Sequence, residues 1–317
     1  MITAYQHKKG RVVKGGLENL SKSSIFVWID AFEPTKKELK RIANASGIPL
    51  RDLKIAVEEE ERPKIIDLEG PFSLIIFGSP SFEKDEITTT PVFIYISKAR
   101  NYVITIRNKD TKSISKIKEV IETKKNLVDR GSSYFLYRLL DEILNTYFFV
   151  LDDVEARIDK IEDNVVKTPG IGIVEDIFET KKTLIYFTKT ITANREVIAS
   201  IGREYLPDID KKIAKQFITL YNDTVQLVDM SSTYRDILTG TLDTYLSSVS
   251  NNLNQVMKTL TVGASFVLMP TLIASIYGMN FKGMPELYWT YGYFFALGLM
   301  VFSIFAMWLF FKRKKWI

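Results

Sequence analysis

The C-terminal end of the chain reads TLTVGASFVLMPTLIASIYGMNF over residues 259–281, KGMPE over 282–286 and LYWTYGYFFALGLMVFSIFAMWLFF over 287–311, followed at once by Lys312, Arg313, Lys314 and Lys315. Neither long stretch holds an acidic or basic side chain. At about 1.5 Å of rise per residue, about 23 and about 25 helical residues reach roughly 35 Å, enough to cross a hydrocarbon core of about 30 Å. The pattern predicts a membrane hairpin: a first span over 259–281, an outer loop over 282–292, a second span over 293–311 and a basic tail over 312–317. Short segments rich in Lys and Arg stay on the cytoplasmic side, so the tail is expected inside. Two spans return the chain to its starting side, which places the N-terminal bulk in the cytoplasm of a multi-pass cell-membrane protein.

Composition narrows what that bulk does. The net charge of +5 is concentrated in the terminal cluster beside a span, whereas a phosphate-binding surface is spread over a domain, so nucleic acid is not an expected partner. The chain has no cysteine and a single histidine, His7. Most catalytic constellations need one or the other, and His7 lies in a polar N-terminal stretch that reads as a disordered tail. No G-x-x-x-x-G-K-[ST] loop is present, and Gly15-Gly16 and Gly170-x-Gly172 lack dinucleotide-binding spacing. An enzyme, an ATP-driven pump and an organic cofactor are therefore not expected. Residues before Ile25 contain no apolar run, so no leader peptide is expected and insertion rests on the hairpin.

Residues 1–130 read as a cytoplasmic α/β domain. Runs rich in Ile, Val, Phe and Tyr at 24–31, 64–68, 73–77, 92–97 and 101–107 are expected strands. Helical spacing occupies 35–46, with Pro34 and Thr35 as the start signal, and 112–125. The polar stretch 81–90 reads as a hairpin or loop. After Gly131 the strand pattern stops. Phe135, Leu139, Leu140, Ile143, Leu144, Tyr147, Phe148, Leu151, Val154, Ile158 and Ile161 recur at three and four, as on an amphipathic helix. A second helix is expected from 174 to 201, ending near Gly202, and a third starting at Pro207 and Asp208. No proline then intervenes until Pro270, so one helix of about 70 residues, roughly 105 Å long, is expected to run into the first span. Residues 131–258 thus form a helical region with a stalk. Its polar stretch between Thr239 and Asn254 fits either a rigid stalk or the lining of a water-filled channel made by several copies.

At the outer end of the first span stand Tyr277, Gly278, Met279 and Asn280, followed by Met284, Pro285 and Glu286. This resembles the signature of the CorA family of divalent-cation channels, in placement as well as letters. Two C-terminal spans, a long helix entering the first, a basic tail ending in Lys-Lys-Trp and an α/β domain extend the match over nearly the whole chain. The resemblance implies a homopentameric funnel in a lipid bilayer, whose first spans surround the pore. It also implies passive Mg²⁺ uptake, with Co²⁺ and Ni²⁺ as secondary substrates, and closure by cytoplasmic Mg²⁺. The signature also occurs in zinc carriers, so transport of Zn²⁺ or another transition ion is one alternative, and a non-conducting membrane-tethered scaffold is another.

The chemistry of the residues agrees with a pore. Mg²⁺ demands octahedral oxygen at about 2.0 to 2.1 Å and dehydrates reluctantly, so a fast pore grips the hydrated ion by hydrogen bonds. Asn280 offers an amide oxygen, Gly278 an unobstructed carbonyl, and with Met279 they form the expected selectivity filter, a ring of neutral dipoles that binds moderately. Counting back at helical spacing puts Gly278, Ser275, Thr271, Leu268, Ala264, Leu260, Met257 and Asn254 on one face. Leu268, Leu260 and Met257 are the gate candidates on the resemblance, with lipid or helix packing as the plain alternative for each. Glu286 either concentrates cations at the mouth or is a solvated loop charge. Lys312, Arg313, Lys314 and Lys315 act as a topology signal, contact anionic lipid, or form a basic collar around the pore helices. The acidic runs at 152–163 and 175–179 read as solvated faces or as carboxylates that bind regulatory Mg²⁺ between subunits. Counting toward the stalk carboxylate of relatives lands near Thr219, which leaves Asp223, Asp229 and Asp236 as substitutes.

Overall fold

Strand-forming residues in the N-terminal third are matched by a seven-stranded sheet: β1 (Ile2–Lys8), β2 (Arg11–Gly15), β3 (Val27–Phe32), β4 (Lys64–Asp67), β5 (Phe72–Glu83), β6 (Glu86–Ser97) and β7 (Tyr102–Arg107). The computed structural model describes residues 1–8, 11–17, 26–58, 61–83, 86–97, 101–123, 127, 130–167, 170–203 and 211–317. Strand order is β2-β1-β3-β7-β6-β5-β4. β3 and β7 run parallel, Val27 opposite Tyr102, and the other neighbouring pairs are antiparallel. The helices are α1 (Lys36–Ser46), α2 (Leu50–Glu58), α3 (Lys112–Thr123), α4 (Gly131–Lys167), α5 (Ile171–Gly202), α6 (Lys211–Tyr277) and α7 (Gly292–Arg313). The chain divides into two units, Met1–Asn164 with Gly170–Leu242, and Val165–Pro169 with Asp243–Ile317.

In the first unit the sheet is covered on both faces, which explains why its central strands are apolar without alternation. Leu39 and Ile42 of α1 and Leu53 and Ala56 of α2 close one face over Ile29, Leu74, Ile76, Phe93, Tyr95 and Ile104. On the other, Phe135 of α4 meets Trp28 at 5.1 Å between ring centroids, and Ser113 of α3 shares a hydrogen bond with Ser79. Thr35 caps α1 in a reciprocal box with Glu38, the start signal expected from sequence. Buried Arg107 and half-buried Lys118 both pair with buried Asp30, at 3.2 and 2.6 Å, so this charge is compensated where it would otherwise be costly.

α5 lies hard against β5. The Asn194 side chain accepts from the Gly78 N–H at 2.9 Å and donates to the Gly78 carbonyl at 2.8 Å, while Tyr147 of α4 donates to the same carbonyl at 3.2 Å. A Cβ on Gly78 would meet the Thr190 Cγ2 at 2.2 Å, so only glycine permits this approach. Along α6, Phe217, Leu220, Thr224, Leu227, Ser231, Leu238 and Thr241 are buried at three- and four-residue spacing. Tyr234 and Thr241 donate to Glu155 and Glu162 of α4, at 2.9 and 3.2 Å, and Lys181 of α5 donates to Thr239 at 2.8 Å.

Not every expectation stands as it was read. The polar N-terminal stretch is no tail: β1 lies between β2 and β3, and His7 pairs with Val12 across β1 and β2. Its polarity hid a strand that buries Ala4 in the main core and stacks Tyr5 on Trp28 at 4.9 Å. The segment 81–90, read as a hairpin or loop, is the tip of a hairpin: β5 and β6 pair from Phe72 opposite Ser97 to Glu83 opposite Glu86. The threonines there are β-branched and suit a partly exposed ladder. Helix α2 was not among the expected elements, since its nine residues show too short a period to be distinguished. The expected strand at 24–31 begins at Val27, and residues 24 and 25, like the helix start at Pro207 and Asp208, fall outside the described residues.

Candidate functional site

The second unit reverses the burial pattern of the first. The helices carrying it are long and apolar enough to cross a membrane, and α7, at 22 residues, spans about 33 Å. Leu260 is 64 % and Leu268 65 % exposed, as is Phe302 at 70 %. Contact between α6 and α7 runs along a narrow seam: Phe266 meets Phe311 edge-on at 6.1 Å, and Val262 and Phe311 are buried. Aromatic side chains gather at both ends of α7. Trp289 packs on Tyr291 and Phe295 at 6.2 and 5.9 Å, while Phe311 stacks on Trp316 at 5.7 Å. Such belts sit at membrane interfaces, where an apolar ring with a polar edge is half solvated.

Phe266 fixes the orientation of α6. At about 100° per residue, Met257, Ala264, Leu268, Thr271 and Ser275 lie within about 40° of the direction opposite Phe266, with Asn254 and Leu260 within about 60°. All seven are exposed. The residues grouped by sequence therefore share the face of α6 that turns away from α7. That face has no carboxylate. The Thr271 hydroxyl donates to the Val267 carbonyl at 2.7 Å, which leaves its oxygen lone pairs as the outward polar feature. Pro270 lies inside α6 and offers no N–H to the turn before it, leaving the Phe266 carbonyl without its helical donor. The sequence reading passed over this residue as a functional feature, although an isolated proline in an apolar span is a recognisable signal.

The helix stops before the signature. α6 ends at Tyr277, the Gly278 N–H donates to the Ala274 carbonyl at 2.9 Å and the Met279 N–H to the Ile276 carbonyl at 3.2 Å. Met279 and Asn280 were expected in the last turn of the span; they lie beyond it, and the helical count cannot be carried from Ser275 to Asn280. Glycine, with the highest backbone freedom and no side chain, is where a helix ends most cheaply. The loop then forms a single 3-10 turn, Pro285–Tyr288, with proline at its start. Glu286 within it is exposed, and its carbonyl would be 2.1 Å from a Cβ on Gly292. Gly292 is thus the residue that lets α7 start against the loop. At the other end, Lys312 and Arg313 occupy the last turn of α7 and Lys312 lies 4.6 Å from the Trp308 ring centroid. Lys314 and Lys315 follow the helix, exposed.

The proposed regulatory carboxylates belong to the first unit and are not brought together. Asp223, Asp229 and Asp236 all lie on α6, but Asp229 and Asp236 are exposed and Asp223 is half-buried. Among the described residues, no group of three histidines or carboxylates is placed to hold a metal ion. Burial raises the Asp223 carboxyl above the ordinary range. Asp141 on α4 is likewise raised, first by burial and then by Glu142 and Asp223, against the lowering influence of Arg138. The proximity of Asp141 to Asp223 depends on how α4 packs on α6, so no sequence signal announces it.

Fold and hairpin together define a two-span membrane protein carrying an α/β domain. The chain belongs to the CorA-like Mg²⁺ transporter family, whose profile it matches over residues 23–313. It is similar to the cobalt/magnesium transport protein CorA of Methanocaldococcus jannaschii, 37 % identical over 98 % of each chain. The cobalt/magnesium transport protein CorA of Thermotoga maritima is 33 % identical over 93 % of this chain and 84 % of its own. Among solved structures, the complete CorA magnesium transporter of M. jannaschii superposes with a TM-score of 0.89 at 35 % identity, covering 100 % of this chain and 99 % of the other. Full-length CmaX, at 16 % identity and a TM-score of 0.77, shares the fold.

Proposed function

We propose that this chain is a passive Mg²⁺ channel that assembles as a homopentamer in the cell membrane, with both termini in the cytoplasm. The observation that carries this reading is the position of Gly278, Met279 and Asn280 at the loop end of α6, directly beyond a helix face that turns away from α7 and bears no carboxylate. Several copies placing that face around one axis would make a pore with a neutral amide and carbonyl ring at its mouth. Such a ring suits an ion that keeps its water shell, because strong fixed charge would bind too tightly for release. Family membership supports the ion class, and the names of the M. jannaschii and T. maritima relatives support Co²⁺ as a second substrate, with Ni²⁺ chemically adjacent.

Within this reading each element has a task. Met257, Leu260 and Leu268 close the pore by removing water contacts from its narrow section, with Ala264 between them. Asn254, Thr271 and Ser275 give polar footholds, and Glu286 draws cations to the outer mouth. Lys312, Arg313, Lys314 and Lys315 fix topology and surround the inner mouth. Regulatory Mg²⁺ binds carboxylates of neighbouring copies, with Asp223, Asp229 and Asp236 as this chain's contribution, and holds the closed state. No organic cofactor and no enzymatic step is needed, since a membrane potential of 100 mV drives a divalent cation inward by about 4.6 kcal/mol.

The test is flux into liposomes at fixed potential with Mg²⁺, Co²⁺, Ni²⁺ and Zn²⁺ compared, for the parent chain and for Asn280→Ala. Mg²⁺ entry that collapses in the variant is expected. Unchanged Mg²⁺ entry in an inserted Asn280→Ala protein refutes the filter. A preference for Zn²⁺ moves the substrate to the transition ions, and a parent chain that conducts nothing is a tethered scaffold.

A further inference from the structure

The tail of the second unit is a folded turn and not a frayed helix end. The Lys314 N–H donates to the Phe310 carbonyl at 3.1 Å, the Lys315 N–H to the Lys312 carbonyl at 3.1 Å and the Trp316 N–H to the Phe311 carbonyl at 3.0 Å. Trp316 then stacks on Phe311, with ring centroids 5.7 Å apart and planes 19° from parallel. These are the hydrogen bonds and the apolar contact of a Schellman turn. Its left-handed position is ordinarily glycine, yet Lys315 occupies it at φ 56°. A lysine kept where glycine would close the turn with less strain points to a use for the side chain. The turn also satisfies the last carbonyls of α7 from its own backbone, so the lysine ammonium groups are not needed as caps.

Lys312, Arg313, Lys314 and Lys315 are exposed, as is Lys258 on α6. Lys258 is four residues before buried Val262 and within about 40° of it around the helix, on the side that meets α7. It lies about 12 Å from Phe266 toward the tail end, the direction in which α7 runs on past Phe311. Lys314, three residues after Phe311, is within about 60° of it around α7. Lys258, Lys314 and Lys315 thus stand around the tail end of the α6–α7 seam, while Lys312 lies over the Trp308 ring. None of these five cations forms an ion pair among the described residues. The unit, Val165–Pro169 with Asp243–Ile317, contains two acidic side chains, Asp243 and Glu286. Asp243 is about 22 Å along α6 from Lys258, and Glu286 lies beyond the other end of α7, about 30 Å from Lys312. The main-chain carboxylate at Ile317 adds one negative charge against five positive ones.

We propose that the tail end of the α6–α7 seam binds an anionic phospholipid, its phosphate held by Lys258, Lys314 and Lys315 and its acyl chain lying on the apolar surface beside the Phe311–Trp316 stack. Two features select a lipid over a free oxyanion. The cations follow directly on the uncharged run from Leu287 to Phe311, so a phosphate bound there sits at the depth of a headgroup. Leu309 and Phe310, 42 % and 54 % exposed, offer hydrocarbon contact next to it, which inorganic phosphate cannot use. The site rests on the hairpin crossing a membrane, as in the function proposed above, and on no step of ion conduction. A lipid here bridges the two spans at the end where their own contact is a narrow seam, so the lipid charge sets how firmly α7 braces α6.

The test uses the full chain in nanodiscs of phosphatidylcholine and phosphatidylglycerol with matched acyl chains, one of the two lipids brominated. Tryptophan quenching then reads which lipid touches Trp308 and Trp316. Trp28 is fully buried, and Trp289, at the loop end, contributes equally in all variants. Phosphatidylglycerol is expected to compete about fivefold better than phosphatidylcholine in the parent chain, the factor that one lysine near an anionic surface supplies. Lys258→Gln combined with Lys314→Gln is expected to abolish that preference, with Lys312 and Arg313 left to hold topology. Lys315→Gly keeps the left-handed turn and removes only the ammonium, so the preference falls while the unfolding midpoint does not. Unchanged preference in Lys315→Gly reduces that lysine to a turn residue and overturns its assignment. Equal quenching by both lipids in the parent chain overturns the proposal, as does a preference that Lys258→Gln with Lys314→Gln leaves intact. Loss of the preference on adding inorganic phosphate at constant ionic strength overturns the lipid in favour of a free oxyanion. No ion moves in this measurement: a chain that conducts Mg²⁺ without lipid preference refutes this site alone, and one with the preference that does not conduct refutes the channel alone.

Discussion

The two units use the same kinds of apolar side chain in opposite ways. In the first, Phe93, Leu144 and Trp28 are fully buried between a sheet and the helices on its two faces. In the second, Phe302, Leu268 and Leu260 are largely exposed, and α6 meets α7 along a seam only as wide as Val262, Phe266 and Phe311. Water therefore supplies the driving force that organises the first unit, whereas the second leaves its apolar side chains bare in a single copy, as a hairpin long and apolar enough to cross a membrane does. Polar chemistry follows the same division. Asp30, Arg107 and Asn194 are buried with partners, while Asn254, Thr271 and Ser275 lie on the exposed face of α6.

The contrast can be broken by substitutions of one type in both places. Phe93→Ala, at full burial, is expected to destabilise the first unit by about 3 to 5 kcal/mol, read as a lower thermal midpoint of the detergent-solubilised chain; Phe302→Ala leaves that midpoint unchanged. Equal effects would mean that the second unit has a water-excluding core of its own. Phe302→Lys is expected to cost about 2.5 to 3.5 kcal/mol of membrane insertion, visible as a loss of membrane-integrated protein, with the first unit still folded. Gly78→Ala pushes α5 from β5 and should destabilise by about 1 to 3 kcal/mol, seen in the unfolding midpoint without a change in insertion. Asn280→Ala should lower Mg²⁺ flux about tenfold or more, equivalent to about 1.4 kcal/mol, while the unfolding midpoint stays where it was.

Smallest is the cap of α1. Thr35→Ala is expected to cost about 1 kcal/mol. The Glu38 carboxyl is held below its usual range, first by the Thr35 backbone N–H. A carboxyl whose folded value is depressed contributes stability at neutral pH and loses it as pH falls through that lowered value. Glu38→Gln should therefore lower the unfolding midpoint at neutral pH and converge on the parent chain in acid, as read from unfolding midpoints across the pH range.

Legibility in the sequence followed the length of each signal. The hairpin, α4, α5 and the long α6 are repeated patterns many turns long, and the Gly278-Met279-Asn280 signature stands at their end, so architecture and candidate pore were both readable. Short or compensated signals were not. β1 buries the consecutive residues Ala4, Tyr5 and Gln6, one of them polar, and the stacking partner of Tyr5, Trp28, is more than twenty residues away. The nine residues of α2 give too few turns for periodicity. A helical count does not reach Asn280, because the helix ends at Tyr277 and no local pattern foretells that end.

By itself, the sequence determined which segments are apolar enough to leave water and which lack charge, since each of these is a property of consecutive residues. Tertiary structure alone decided which face of α6 turns away from α7, that Gly78 admits Thr190 and Asn194, and that Asp141 stands near Asp223. These are distances between residues far apart in the chain, set when sheet and helices pack, and no local pattern encodes them.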